Sequence, residues 1–212
     1  MSRDEFLIEL KKLNIILTES QLNQLDKYYH LLVSWNEKFN LTRIIEQEEV
    51  YLKHFYDSLT IVKAVDLNKC TTLLDFGTGA GFPGLVLKIV FPHLNITLVD
   101  SLQKRVTFLN TVIEELNLKN ITALHERVEN LNNKKYDIIT TRAVANLPKL
   151  LDYTNKLITT TTLFVPLKAN VDEEIVNSKE KLQKYNLEIS KQVTFYLPKE
   201  NSIRNILVIK RK

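Results

Sequence analysis

The chain has 212 residues, 29 of them basic and 25 acidic, giving a net charge of +4 and a pI near 9.0. That balance admits a nucleic-acid partner without demanding one, and a single cysteine, Cys70, excludes a disulfide framework and a multi-cysteine zinc site. No apolar run approaches the roughly 18 residues of a membrane span, and the charged start Met1-Ser2-Arg3-Asp4-Glu5 lacks a signal-peptide apolar region, so a cytoplasmic protein is expected.

Residues 1–66 read as a helical extension. Phe6, Leu7, Leu10 and Leu13 form a first apolar stripe, and Leu25, Tyr28, Leu32, Trp35 and Phe39 a second at spacings of 3, 4, 3 and 4. Thr18 and Gln21 suit a capping box ahead of the second helix. Asn40-Leu41-Thr42 breaks it, and the acidic run from Glu46 to Glu49 suits the start of a third. From residue 67 to 212 short apolar runs alternate with helical stretches. Strands are expected near 71–76, 95–100, 120–124, 136–141, 161–167, 189–197 and 204–211, and helices near 82–91, 102–117, 147–158 and 171–185. Alternation of this kind predicts an α/β fold with a mostly parallel sheet covered on both faces. The link from Leu197 to Ser202 is too short for a parallel crossover, so the last two strands should be antiparallel.

All four glycines lie in Gly77-Thr78-Gly79-Ala80-Gly81-Phe82-Pro83-Gly84, where about fifteen spread widely would be usual. A glycine loop between a strand and a helix turns backbone N–H groups toward a ligand. Three ligands compete. A triphosphatase loop needs Lys-Ser or Lys-Thr after its last glycine, and none follows. A dinucleotide loop matches Gly79, Gly81 and Gly84, but the strand ends at Asp75-Phe76, so the frame is D-x-G-x-G-x-G and Phe82 stands where the third dinucleotide glycine belongs. That frame resembles the first motif of the class I S-adenosylmethionine-dependent methyltransferases, whose Rossmann-like sheet ends in an antiparallel strand. Gly77 and Gly79 would then line the cofactor. Asp75 and the loop carbonyls would face its ammonium group and the helix N-terminus its carboxylate. Asp100, 23 residues after Gly77 at the end of the second strand, is placed to accept both ribose hydroxyls, or to cap the helix beginning at Ser101.

Absences narrow the acceptor. Amino-group methylation of adenine or cytosine uses a [DN]-P-P-[YF] signature after the fourth strand. Here that place holds Thr140-Thr141-Arg142-Ala143-Val144-Ala145-Asn146, and the chain has no Pro-Pro. Methylation at cytosine C5 needs a thiolate, and Cys70 precedes the first strand. An acceptor that is already nucleophilic remains, such as guanine N7, which has a lone pair and no proton to remove. Arg142 and Lys168, at the ends of the fourth and fifth strands, project to the acceptor side and are the expected catalytic residues; Arg142 offers a donor fork for phosphate, carboxylate or guanine O6/N7.

Asn40-Leu41-Thr42, His54-Phe55-Tyr56-Asp57-Ser58-Leu59, the glycine loop, Val99 to Val106 (Val-Asp-Ser-Leu-Gln-Lys-Arg-Val), Arg127-Val128-Glu129, Thr141-Arg142-Ala143, Leu167-Lys168 and Arg204-Asn205-Ile206 occur in one order from residue 40 to 206. In this set the chain resembles the RsmG (GidB) family of bacterial 16S ribosomal RNA guanine-N7 methyltransferases. The resemblance implies S-adenosylmethionine as donor and a guanine in the 530 loop as acceptor, in free 16S rRNA or in the 30S subunit or its precursor, with no metal. It implies cofactor contacts at Gly77, Phe82, Val128, Glu129 and Arg142, with Phe82 packed on the cofactor and Glu129 accepting from the adenine amine. Lys104, Arg105, Arg127, Arg204 and the tail Lys210-Arg211-Lys212 would add positive charge for RNA phosphates. A monomer is expected. His54, Asp57 and Ser58 share letters with a hydrolase triad, but on one helix at i, i+3 and i+4 they cannot form its relay; they either close a wall of the site or brace the helical extension. An S-adenosylmethionine- or RNA-binding protein without turnover is the alternative from another class, and a nicotinamide dehydrogenase a third.

Overall fold

The structure is a computed structural model and describes residues 1–131 and 134–212. Seven strands form one sheet in the order β3-β2-β1-β4-β5-β7-β6: β1 (Thr72–Phe76), β2 (Asn95–Asp100), β3 (Ile121–His125), β4 (Ile138–Arg142), β5 (Leu163–Lys168), β6 (Leu187–Tyr196) and β7 (Ile203–Arg211). The first five are parallel. β7 runs antiparallel between β5 and β6, as the short 197–202 link requires. The order reverses between β1 and β4, so the crevice beyond their C-terminal ends is the topological switch point where open α/β sheets take ligands.

Strand alternation divides the core. Leu73, Ile96, Leu98, Ile138, Val165 and Ile206 pack on one face with α5 (Gly84–Val90) and α6 (Gln103–Glu115), whereas Leu74, Val99, Ile139, Phe164 and Leu207 pack on the other with α7 (Leu147–Thr154) and α8 (Asp172–Lys184). The N-terminal helices join the first of these cores. α1 (Arg3–Lys12) and α2 (Glu19–Phe39) contribute Phe6, Leu10, Leu25, Tyr28 and Leu32 to it. The Thr18–Gln21 capping box forms, and the Gln21 amide also donates to the carbonyls of Ile89 and Val90 at 2.9 and 3.0 Å, tying the start of α2 to the end of α5. Asn40 ends α2 in the left-handed region at φ 49°, a conformation asparagine tolerates.

The third helical stretch is not a uniform α-helix. α3 (Gln47–Val50) passes into a π-helical turn, Tyr51–Tyr56, and then α4 (Asp57–Leu59) and a 3-10 turn, Thr60–Lys63. The N–H of Asp57 bonds to the carbonyls of Leu52 and His54, passing over Lys53. The Lys53 carbonyl instead accepts from Arg142, at 2.7 Å. Such π-turns collect at functional sites, and this one lies over the end of β4. No described helix is long and apolar enough to cross a membrane.

Candidate active site

The glycine loop is held from both strands beneath it. The N–H groups of Gly77 and Thr78 donate to the Val99 carbonyl at 2.7 and 3.2 Å, and that of Gly79 to Asp100 Oδ2 at 2.9 Å. Gly77, Gly79 and Gly81 take φ values of 62°, 62° and 100°, which a side chain would strain. Space around Gly79 is open: a Cβ there would meet nothing within 4 Å, whereas one on Gly77 would fall 2.3 Å from a Val144 methyl. Asp75 is fully buried beneath the loop, where Oδ2 accepts from Thr78 Oγ1 at 2.5 Å and the Gly84 N–H at 2.8 Å. Oδ1 has no partner among the described residues, and burial pushes the carboxyl up to about 7. Asp75 thus braces the loop from inside and does not face the crevice as the sequence suggested.

Two cavities flank the turn after β4. The first, about 260 Å³, is lined by apolar Phe76, Val99, Val128, Val144 and Tyr153 and by acidic Asp100, Glu126 and Glu129 beside Arg127. This lining suits a cationic adenosyl group: carboxylate acceptors for ribose hydroxyls and an exocyclic amine beside apolar surface. Asp100 already accepts from Gly79, from the Leu102 N–H at 3.0 Å and from Arg105 at 3.2 Å. A carboxylate has about four acceptor positions, so one is left, and a second ribose hydroxyl requires Arg105 to turn away. Asp100 therefore ties the turn that leads into α6 through an i to i+2 bond as well as lining the cavity; α6 itself has Leu102 at its N-cap and no side-chain cap.

The second cavity, about 590 Å³, lies across Ala143 and is lined by Lys53, His54, Asp57, Arg142, Lys168 and Arg204, with Asn170 and Glu174 further round. Here the helical segment meets the sheet. Asp57 is 4% exposed and its carboxylate bridges two arginines, Arg142 at 2.9 Å through Oδ2 and Arg204 at 3.1 Å through Oδ1. Arg142 also donates to His54 Nδ1 at 3.1 Å. Lys168 pairs with Glu174 at 2.8 Å and donates to the Ala145 carbonyl at 2.7 Å. Glu174 in turn accepts the Leu147 N–H at 2.6 Å, so the pair clamps the turn that separates the cavities. Ala143 holds that turn at φ 56°, a strained value for a residue with a side chain.

The expected site residues are therefore divided. Gly77, Asp100, Val128 and Glu129 line the first cavity together with Arg127, which is exposed. Arg142, Lys168 and Arg204 line the second. Phe82 is in the lining of neither cavity. Its ring is stacked on His54 at 4.3 Å and on Tyr28 at 5.5 Å, under the Arg142 guanidinium at 5.3 Å. It joins the helical segment to the loop and is absent from the lining of the first cavity. Three of the charges read as phosphate holders have internal partners as well: Lys104 donates to the Phe39 carbonyl at 2.9 Å, Arg105 to Asp100, and Arg204 to Asp57. Arg211, in the basic tail, bonds to the Ile158, Tyr185 and Asn155 carbonyls and caps that end of the sheet. Cys70 bonds to the Asp66 carbonyl and burial raises its thiol pKa, so it offers no thiolate to either cavity.

Sequence reasoning left the roles of His54, Asp57 and Ser58 open between closing the site and bracing the helical segment, and gave Thr42 no part in the site; Ser58 turns its hydroxyl to the His54 carbonyl at 2.6 Å. His54 is 7% exposed. An arginine has no acceptor, so Nδ1 must be the lone-pair nitrogen, although the Lys53 carbonyl is also 3.2 Å from it. Nε2 then carries the proton and donates to Thr42 Oγ1 at 3.0 Å. Burial, and after it the Arg142 charge, lowers its pKa to about 3, so the ring is neutral. The signal in the sequence was the packing of two polar groups, His54 and Asp57, one turn apart into an otherwise apolar stripe.

The family model described as rRNA small subunit methyltransferase G, GidB, matches residues 21–205. A protein of Bacillus pumilus named ribosomal RNA small subunit methyltransferase G is 46% identical over 218 aligned positions, covering 100% of this chain and 91% of the relative. The protein of the same name from Bacillus subtilis is 46% identical with the same coverage. Among solved structures, a SAM-dependent methyltransferase from Aquifex aeolicus superposes with a TM-score of 0.59 at 17% identity, over 80% of this chain and 96% of the other. At that identity the likeness concerns the fold.

Proposed function

The chain belongs to the GidB family of small-subunit rRNA methyltransferases, and from that premise we propose that it transfers a methyl group to N7 of a guanine in the 530 loop of 16S rRNA. It is a methyltransferase that uses S-adenosylmethionine, which supplies an electrophilic methyl on a sulfonium. Gly77, Asp100, Val128 and Glu129 in the first cavity, with Gly79 in the adjoining loop, are the residues that would hold that cofactor. The second cavity is the acceptor pocket, with Arg142 and Lys168 orienting the base and Arg204 and Lys53 meeting phosphate, while the exposed Arg127, at the first cavity, would meet phosphate from that side.

One observation carries the choice of N7: among the described residues, the acceptor cavity has no side chain free to take a proton. His54 has both ring nitrogens engaged, with Arg142 and Thr42. Asp57 is paired with two arginines and Glu174 with Lys168. An amino or hydroxyl acceptor must lose a proton as it is methylated and profits from a positioned base. Guanine N7 has none to lose. Catalysis then reduces to placing the lone pair in line with the methyl group and excluding water, which is work suited to a fixed guanidinium fork. Arg142 reaches the cavity from a strand end and is held on three sides by the Lys53 carbonyl, Asp57 and His54, so its fork arrives pre-oriented.

The test is methyl transfer from labelled S-adenosylmethionine to purified 16S rRNA and to 30S subunits lacking the modification, with the product nucleosides resolved. The label should appear as 7-methylguanosine. Label on an exocyclic amine, or cofactor binding with no transfer to either substrate, would overturn the proposal.

A further inference from the structure

The three sides from which the glycine loop is held are not equivalent. Asp75 and the Val99–Asp100 end of β2 belong to the sheet. The third comes from the helical segment: the Tyr28 hydroxyl, on α2, donates to the Ala80 carbonyl. Tyr28 is fully buried, and its ring is stacked among Phe55, Phe82 and Phe108 at 5.6, 5.5 and 6.4 Å. Burial raises its pKa well above the ordinary value, so the phenol stays protonated and remains a donor.

The peptide it grips is the one between Ala80 and Gly81, and Gly81 on its C-terminal side is at φ 100°. A glycine after a peptide lowers the steric cost of turning its plane over, exchanging an inward carbonyl for an outward one. The Gly81 N–H donates to the Thr78 carbonyl at 2.9 Å, and the Ala80 carbonyl accepts from Tyr28 alone among the described side chains. Ala80 is 4% exposed, so without the phenol that carbonyl has no water to replace it. The contact is close: a Cβ on Gly81 would lie 2.6 Å from the Tyr28 oxygen.

We infer that Tyr28 is a positioning residue for the methyl donor, fixing the Ala80–Gly81 peptide in the orientation that the cofactor loop needs although it touches neither cavity. The inference rests on the glycine loop being the cofactor site. It gives the N-terminal helices a part in donor binding: α2 sets the loop geometry, and Phe82, one residue further on, passes that geometry to His54 and Arg142 on the acceptor side.

Tyr28→Phe removes one oxygen and keeps the stacked ring. Its matched control is Tyr51→Phe, another buried phenol of the same aromatic cluster, packed edge-to-face with Phe6 and Phe55 and bonded to Asp26 away from the loop. Binding of S-adenosylhomocysteine is measured by calorimetry on all three proteins, with melting temperatures alongside. The expected result is a Kd raised about tenfold in Tyr28→Phe, as the competent loop becomes a minority state, and a Kd unchanged in Tyr51→Phe despite a comparable fall in melting temperature. Equal Kd values in Tyr28→Phe and the wild type would show that the bond is purely structural and overturn the inference. Absence of binding by the wild type would instead overturn the assignment of the loop. Should Tyr28→Phe fail to fold, hydrogen exchange on the wild type decides: S-adenosylhomocysteine should protect residues 24–32 along with 77–84, and protection of the loop without the helix would contradict the inference.

Discussion

The Arg142 guanidinium donates to His54 Nδ1 at 3.1 Å, across 88 positions of sequence, and that contact fixes both partners. It selects the imidazole tautomer and, with Asp57 and the Lys53 carbonyl, aims the arginine into the second cavity. His54, which shares letters with a hydrolase triad, is here an orienting acceptor.

His54→Ala should therefore reduce kcat on 30S substrate about 10- to 100-fold, the range expected when a reacting group is misplaced by a fraction of an ångström to an ångström. Melting temperature should fall less than activity does. A loss of activity that simply tracks the unfolded fraction would reduce His54 to a brace between the helical segment and the sheet.

Arg142→Lys keeps the charge and loses the planar fork, which cannot be replaced by an ammonium at a site with three distinct acceptors. It should lose nearly as much activity as Arg142→Ala, while both still bind S-adenosylhomocysteine. Retention of wild-type rates by the lysine variant would show that charge alone matters there.

Among the described residues, Asp57 is the carboxylate that pairs with both Arg142 and Arg204. Removing it leaves two partly buried guanidiniums without that counter-ion, so Asp57→Ala should cost about 3 kcal/mol in urea unfolding. Arg204→Ala introduced into that background should return part of the loss. Additive effects in this double-mutant cycle would mean that the pair is not coupled.

The fold was readable because it rests on local rules. Short apolar runs between helical stretches, the Thr18–Gln21 box, the single glycine-rich turn and the short 197–202 link each constrain their own neighbourhood, and together they point to a mostly parallel sheet with an antiparallel end. The site was readable only in part. Gly77, Asp100 and the Val128–Glu129 pair follow directly from strand ends. By contrast, the tie from Asp57 to Arg204 spans 147 positions and depends on how the helical segment docks, which no spacing encodes. The resemblance implies a cofactor contact at Phe82; its ring lies against His54 and is absent from the lining of the first cavity. Lys104 and Arg105 read as free charges, yet each reaches a nearby carbonyl or carboxylate. The π-turn at Tyr51–Tyr56 gave no signal, because one extra residue in a helix scarcely alters an apolar stripe.

Two buried groups should shape stability against pH with opposite signs. The folded His54 pKa, about 3, is below its ordinary 6.5, so stability falls as pH drops from about 6.5 toward 3. The folded Asp75 pKa, about 7, is above its ordinary 3.8, so its contribution is complete below pH 4 and is lost as pH rises toward 7. Each slope is at most about 1.4 kcal/mol per pH unit, and over pH 4 to 6.5 they oppose each other. Asp75→Asn keeps an acceptor for Thr78 and Gly84 and removes only the second slope. Its unfolding free energy should therefore rise more steeply than the wild type's between pH 4.5 and pH 7, measured by urea titration at several pH values. Parallel curves would mean that Asp75 is ionised throughout.

The proposed reaction and its site are tested together by mass mapping of 16S rRNA from cells deleted for this protein and complemented with the wild type or with Arg142→Ala. One 7-methylguanine in the 530 loop should be missing in the deletion, restored by the wild type and still missing with Arg142→Ala. A 7-methylguanine that persists in the deletion strain would contradict the assigned reaction, and full restoration by Arg142→Ala would contradict the assigned site.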